Sequence, residues 1–158
     1  MKGEPNGKTP GVLKRITGVF ATGRGNGPLA AWRPEGAAYP RLHALDPGRL
    51  AGRSGLYLLW HLGVRPQWLR AGFSKDLGAA AAHLAKTPEV AAFIPHDGPF
   101  LSWSFCAPEI APGLVNFLVA RLNPALQNPV LECDMDIDPT ARPVACVLPP
   151  GTKDIATH

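Results

Sequence analysis

Beyond residue 54 the apolar positions fall into segments with two different periods. Gly55-Leu-Tyr-Leu-Leu-Trp60 is a continuous apolar run rich in aromatics, the pattern of a strand covered on both faces. A turn at His61-Leu-Gly-Val-Arg-Pro66 leads into Gln67-Trp-Leu-Arg-Ala-Gly-Phe73, which reads as its partner in a β-hairpin. Ser74 then stands where an N-cap belongs, with Asp76 in the first turn, and Leu77, Ala80, Ala81 and Leu84 follow at helical spacing to about Lys86. Pro88–Ile94 is a second helical piece with Pro at its first position, ending before the His96-Asp-Gly-Pro99 turn. Leu101, Trp103 and Phe105 alternate with small polar residues and predict a third strand over Phe100–Cys106. Ile110, Leu114, Phe117 and Leu118 mark one face of a helix running to Leu122, closed by Asn123-Pro124. Farther on, Leu131–Ile137 alternates apolar residues with Glu132, Asp134 and Asp136. A turn at Asp138-Pro139 and the apolar Pro143–Leu148 then predict an appended β-hairpin.

These elements define an α+β fold, a small three-stranded antiparallel sheet flanked by helices. The order is hairpin, helix, third strand, helix. Composition changes the picture only at the N-terminus. Of 158 residues, 46% are hydrophobic and 18% charged, enough apolar material for a real core. Residues 1–53, however, hold nine Lys/Arg against three Asp/Glu, with ten Gly and six Pro, whereas 54–158 hold seven against nine. A basic Gly/Pro-rich leader buries too little apolar surface to offset its ordering entropy. It is expected to be flexible, with a short helix at Val12–Phe20, and to be attracted by charge to nucleic acid or another acidic surface. The expected organisation is a leader over 1–53, a folded domain over 54–128, an acidic hairpin over 129–150 and a tail over 151–158. No apolar run approaches the ~18 residues of a membrane span. The N-terminus lacks a signal-peptide stretch, and three cysteines make no disulfide framework, so a reducing, cytoplasmic setting is expected.

Gly55-Leu-Tyr57, then Arg70-Ala-Gly72, then Ser74-Lys-Asp-Leu77 opening a helix that reaches His83, with Gly113, Phe117-Leu118 and Leu122-Asn123-Pro124 later, together resemble the GIY-YIG nuclease domain. The resemblance covers about residues 54–128. It implies a fold of the kind already read from the apolar periods. It also implies a phosphodiester-cutting site made from a Tyr in the first motif, a second Tyr near the later Gly, an Arg on the first helix and a metal-holding Glu on the last. Such a set supplies an activated nucleophile, a cation for the developing phosphate charge, and a divalent ion. Tyr57 and Gly72 keep their places, but the second Tyr position is Arg70, the Arg position falls at Ala79 or Ala80, and the Glu position falls near Val115. One charge-stabilising group can be worth roughly 10²–10³-fold in rate, so the catalytic set reads as dismantled.

Three functional readings follow. The first is a non-catalytic GIY-YIG-like module that binds a protein or nucleic-acid partner, needing no cofactor, with Arg70 and Arg121 as candidate groove residues. The second is an endonuclease using Mg²⁺ with a rearranged site, in which Arg70 turns to phosphate, His83 acts as base and Glu109 reaches the metal. The third is a small scaffold protein without a nucleic-acid role. Elsewhere the chemistry is sparse. Gly23-Arg-Gly-Asn-Gly27 lacks the Lys-Ser/Thr of a phosphate loop, and no Cys or His pair has zinc spacing. Glu132, Asp134, Asp136 and Asp138 form a row at strand period that would suit a hard cation, but they read first as the solvated face of an edge strand. Cys133 and Cys146 would face each other across the hairpin in one register.

Overall fold

The computed structural model describes Trp32, residues 39–127 and 134–150, Thr152 and Ile155. The continuous apolar run becomes the central strand of the sheet, because only a strand covered on both faces and paired on both edges buries every residue it has. Strand β1 (Gly55–His61) pairs antiparallel with β2 (Gln67–Ser74) on one side and β3 (Phe100–Phe105) on the other, in the order β2-β1-β3. Leu56 through Leu59 are wholly buried. Directly opposed residues share a face. Tyr57 therefore lies between Gly72 and Trp103, and Leu59 between Arg70 and Leu101. The register slips between Leu59 and Trp60, so Trp60 pairs with Trp68.

Helix α1 (Leu77–Ala85) follows β2, with Leu77, Ala80, Ala81 and Leu84 buried as their spacing predicts. Its N-cap is Asp76, whose carboxylate accepts from the Ala79 N–H at 3.1 Å. The expected cap, Ser74, instead closes a tight turn ahead of the helix, its hydroxyl accepting the Asp76 N–H. Helix α2 is one turn, Pro88–Ala91, and the remainder of the predicted piece becomes a separate 3-10 turn at Ile94–His96. Helix α3 (Ala111–Leu122) packs on β2 and β1, burying Leu114, Leu118 and Leu122. It stops where Asn123 takes a left-handed φ of 49°.

Two expectations need correction. The leader does not extend to residue 53. Leu42, Leu45 and Leu50, carried on 3-10 turns at Leu42–Ala44 and Pro47–Leu50, join Tyr57, Leu59, Leu77 and Leu84 in the core. The backbone ties this segment in as well, with Leu42 N–H donating to Pro99, Leu77 N–H to Arg53, and Leu101 N–H to Pro40. Trp32 is also buried, donating its indole N–H to the Val147 carbonyl at 2.7 Å. The remaining leader positions and the helix expected at Val12–Phe20 lie outside the described residues.

The second correction concerns the C-terminal hairpin. Residues 134–150 form no strand, and 131–133, with Glu132 and Cys133, lie outside the described residues. Four of the backbone groups that a hairpin could use are taken by distant elements. Met135 N–H donates to Phe73 of β2, Val144 N–H donates to Gly113 of α3, and the Asn116 side-chain amide donates to the carbonyls of Asp138 and Ala141. Pro139, Pro143 and Pro149 offer no N–H at all. The segment is a strap laid against β2 and α3. The Cys146 thiol, on this strap, is pushed up to about 12 by burial first and by Cys106 second.

Candidate functional site

The outer edge of β2 is where the motif residues meet. An open edge strand presents unpaired backbone groups, and here chain beyond α3 covers them. Ala125 and Leu126 N–H donate to Trp68 and Leu69, and the Gln127 side chain clasps Ala71, accepting its N–H at 3.0 Å and donating to its carbonyl at 2.7 Å. Met135 continues the cover at Phe73.

Tyr57 reaches this edge by crossing Gly72. A Cβ at position 72 would stand 2.7 Å from the Tyr57 hydroxyl oxygen, so only glycine lets the ring pass. The hydroxyl donates to Oδ1 of Asp134 at 2.6 Å and accepts from Nε of Arg70 at 3.1 Å. Arg70 completes the triangle, with Nη2 2.6 Å from the other carboxylate oxygen, Oδ2 of Asp134. Its Nη1 donates to the carbonyls of Leu126 and Gln127 at 2.7 and 3.0 Å. The Arg70 and Asp134 side chains are only 3% and 6% exposed, which makes this a buried ion pair. Burial first, and the Asp134 charge second, push the Tyr57 phenol well above its usual value, against the opposing pull of Arg70. The phenol stays protonated and the guanidinium stays charged at physiological pH.

Two clefts flank the triangle. One, of about 520 Å³, is lined by Ser74, Lys75, Asp76, Ala79, Asp134, Met135 and Asp136. The other, of about 170 Å³, runs between β2, α3 and the strap, and Arg70, Gly72, Val115, Asn116 and Asp134 are among its lining. The positions picked out by the resemblance are thus neighbours: Tyr57 and Arg70 in contact, Ala79 and Val115 in the walls beside them. Neither wall residue offers charge or a metal ligand. Among the described residues no group of three or more His, Cys, Asp or Glu could hold a metal ion. Asp134, the acid nearest the motif residues, has both oxygens engaged by Tyr57 and Arg70. The described residues do not fit the divalent ion of the nuclease reading.

The other expected residues lie elsewhere. His83 is exposed on α1, Glu109 is exposed in the 3-10 turn ahead of α3, and Arg121 is exposed in the last turn of α3; none of the three lines either cleft. Neither of these two clefts has both Arg70 and Arg121 in its lining. Asp134, read from the sequence as part of a solvated row, is the residue that sequence reasoning misplaced. Its neighbours in that row, Asp136 and Asp138, are indeed exposed. The signal for Asp134 lay in Arg70, a permanent cation inside a strand whose neighbours Leu69 and Ala71 are core residues, because a buried charge must find a counter-charge. The chain matches no protein-family model, no curated protein and no solved structure.

Proposed function

We propose that this chain is a non-catalytic GIY-YIG-like module that acts by binding a partner, protein or nucleic acid. The observation that carries this reading is the closed triangle of Tyr57, Arg70 and Asp134. In a working nuclease the phenol and the cation must face substrate. Here each is spent on an internal carboxylate, and the flanking positions are Ala79 and Val115. The sheet, its covered edge and the cleft walls are intact, which suits a scaffold whose surface serves recognition.

The test has two arms on the purified full-length chain. Plasmid DNA and RNA incubated in Mg²⁺ or Mn²⁺ stay uncut, and cleavage abolished by Tyr57→Phe would overturn the reading in favour of an enzyme. Affinity for a short duplex across a salt series then separates the two partner classes. Residues 1–31 carry five Lys/Arg against one Glu, so electrostatic duplex binding is expected to fall steeply with salt and to be weaker in a chain beginning at Trp32. Absence of duplex binding at low salt assigns the module to protein partners.

A further inference from the structure

The strap holding Asp134 differs in kind from the rest of the domain. It has no secondary structure, and Asp136, Asp138, Pro139, Thr140, Arg142 and Pro143 on it are exposed. Its hold on the sheet and α3 includes the Met135 and Val144 N–H bonds, the Asn116 amide bonds and the Asp134 carboxylate. The fixed half of the triangle belongs to the sheet. Tyr57 and Arg70 sit opposite Gly72 and Leu59 in the register, and Arg70 is anchored from behind by the Leu126 and Gln127 carbonyls. What the sheet presents is therefore a preformed receptor of one phenolic O–H and one guanidinium N–H, aimed at two oxygens of a single anion. The strap supplies that anion.

We propose that the strap Asp134–Val144 is a cis-acting plug, and that Tyr57 and Arg70 form an oxyanion receptor for which Asp134 competes with an external phosphate-type or carboxylate group. The physical argument is one of coupling. Lifting Asp134 away alone leaves a buried cation without a counter-charge, a state that is strongly disfavoured. Lifting it while another oxyanion enters restores the two hydrogen bonds and the charge pairing. Release of the strap and capture of the anion are then a single exchange, and the receptor is closed whenever no competing anion is present. The idea rests on the reading above in one respect, that the pair serves binding and not cleavage. It deepens that reading by giving the site a ligand class and a gate.

The experiment uses the full-length chain, unchanged and as Asp134→Asn, titrated with inorganic phosphate and with acetate at constant ionic strength. Asparagine keeps the shape of the plug and an acceptor oxygen but removes the competing charge. Phosphate or acetate is expected to bind the variant at least about tenfold more tightly than the unchanged chain, since the plug lowers apparent affinity in proportion to the small fraction of molecules that stand open. Preference for phosphate assigns the receptor to phosphate groups, and preference for acetate to carboxylates. Loss of binding in Asp134→Asn combined with Arg70→Met places the anion at the receptor. Equal affinity of the unchanged chain and Asp134→Asn overturns the proposal and makes the pair a fixed part of the fold. Should the variant not fold, amide exchange in the unchanged chain decides. Phosphate is expected to speed exchange at Met135 and Val144 while leaving Leu77 unchanged, and no effect at those two amides overturns the proposal. These readouts are independent of nucleic-acid cleavage and duplex affinity, so this inference and the proposed function fail separately.

Discussion

Two ion pairs in this protein have the same separation and opposite surroundings. Arg70–Asp134 and Arg41–Asp97 both bring nitrogen and oxygen to 2.6 Å. The first has side chains 3% and 6% exposed, the second 50% and 48%. In the interior both charges lose their water, and their attraction must offset that loss with help from further hydrogen bonds. Arg70 has such help from Tyr57, Leu126 and Gln127. At the surface, water already solvates both ions and screens their attraction, so a short contact contributes little. Distance alone does not rank the two. What ranks them is the cost of leaving either ion alone.

The largest effect therefore belongs to breaking the buried pair from one side. Arg70→Met leaves the Asp134 carboxylate buried beside a phenol, and about 3–5 kcal/mol of stability is expected to be lost in urea denaturation. Replacing both partners, Arg70→Met with Asp134→Leu, is expected to recover most of that loss, because no unpaired charge remains. A double variant as unstable as the single would mean that the charge pairing itself, not the avoidance of a lone ion, stabilises this edge of the sheet.

Gly72→Ala probes the same triangle through shape. The new methyl would meet the Tyr57 hydroxyl oxygen at 2.7 Å and the adjoining ring carbon at 2.8 Å. The ring must shift away from Asp134 or the strand must bend, at an expected cost of about 1–3 kcal/mol. A stability change near zero would show that Tyr57 has room to move and that the triangle is looser than its distances suggest.

The two halves of the domain were legible to different degrees, and for physical reasons. Strand and helix positions in 55–122 follow from apolar periods, since local burial demands recur every two residues in a strand and every three to four in a helix. The core contribution of 39–53 has no such period. Leu42, Leu45 and Leu50 are separated by turns among Pro and Gly, and what orders them is the surface of α1 that receives them. The strap imitates a strand in sequence because Asp134, Asp136 and Asp138 alternate with apolar residues. Only contact with Arg70 distinguishes the buried one from the two exposed ones, and a one-dimensional pattern does not carry that contact. Tyr57 and Gly72 are both singled out in the sequence by the resemblance. That the ring passes over the glycine to a carboxylate from the far end of the domain was not legible.

Alkaline titration sharpens the comparison between interior and surface. The Tyr57 phenol is raised well above 10 by burial and by Asp134, burial pushes the Tyr39 phenol up to about 12, and burial raises the Cys106 and Cys146 thiols to about 11 and 12. Each of these groups keeps its proton longer in the folded chain than in the unfolded one. Their contribution to stability is thus complete below the unfolded values and declines as pH climbs from about 9 towards 12. Each group titrating only in the unfolded state adds a slope of about 1.4 kcal/mol per pH unit. Denaturation midpoints measured from pH 8 to pH 11 are expected to fall, with tyrosinate absorbance appearing only as the protein unfolds. Phenolate signal at pH 10 from a folded chain, lost in Tyr57→Phe, would contradict the closed triangle.

The smallest effect is expected at the exposed pair, and its measurement needs a variant that changes one thing. Arg41→Ala is unsuitable, because the guanidinium also lies 4.8 Å from the centre of the Phe100 ring and would remove that contact too. Asp97 has a left-handed φ of 53°, a conformation that asparagine tolerates well and alanine does not. Asp97→Asn therefore keeps the backbone and the size of the side chain while removing the charge. The expected loss is below about 1 kcal/mol at low ionic strength. In 1 M salt the screening length falls to about 3 Å, and the difference between the two chains is expected to vanish within error. Asp134→Asn measured in the same series should keep its effect in high salt, since ions in solution do not reach a side chain that is 6% exposed. Equal salt sensitivity at both positions would mean that solvent enters the Tyr57–Arg70–Asp134 triangle, as it must whenever the strap stands open.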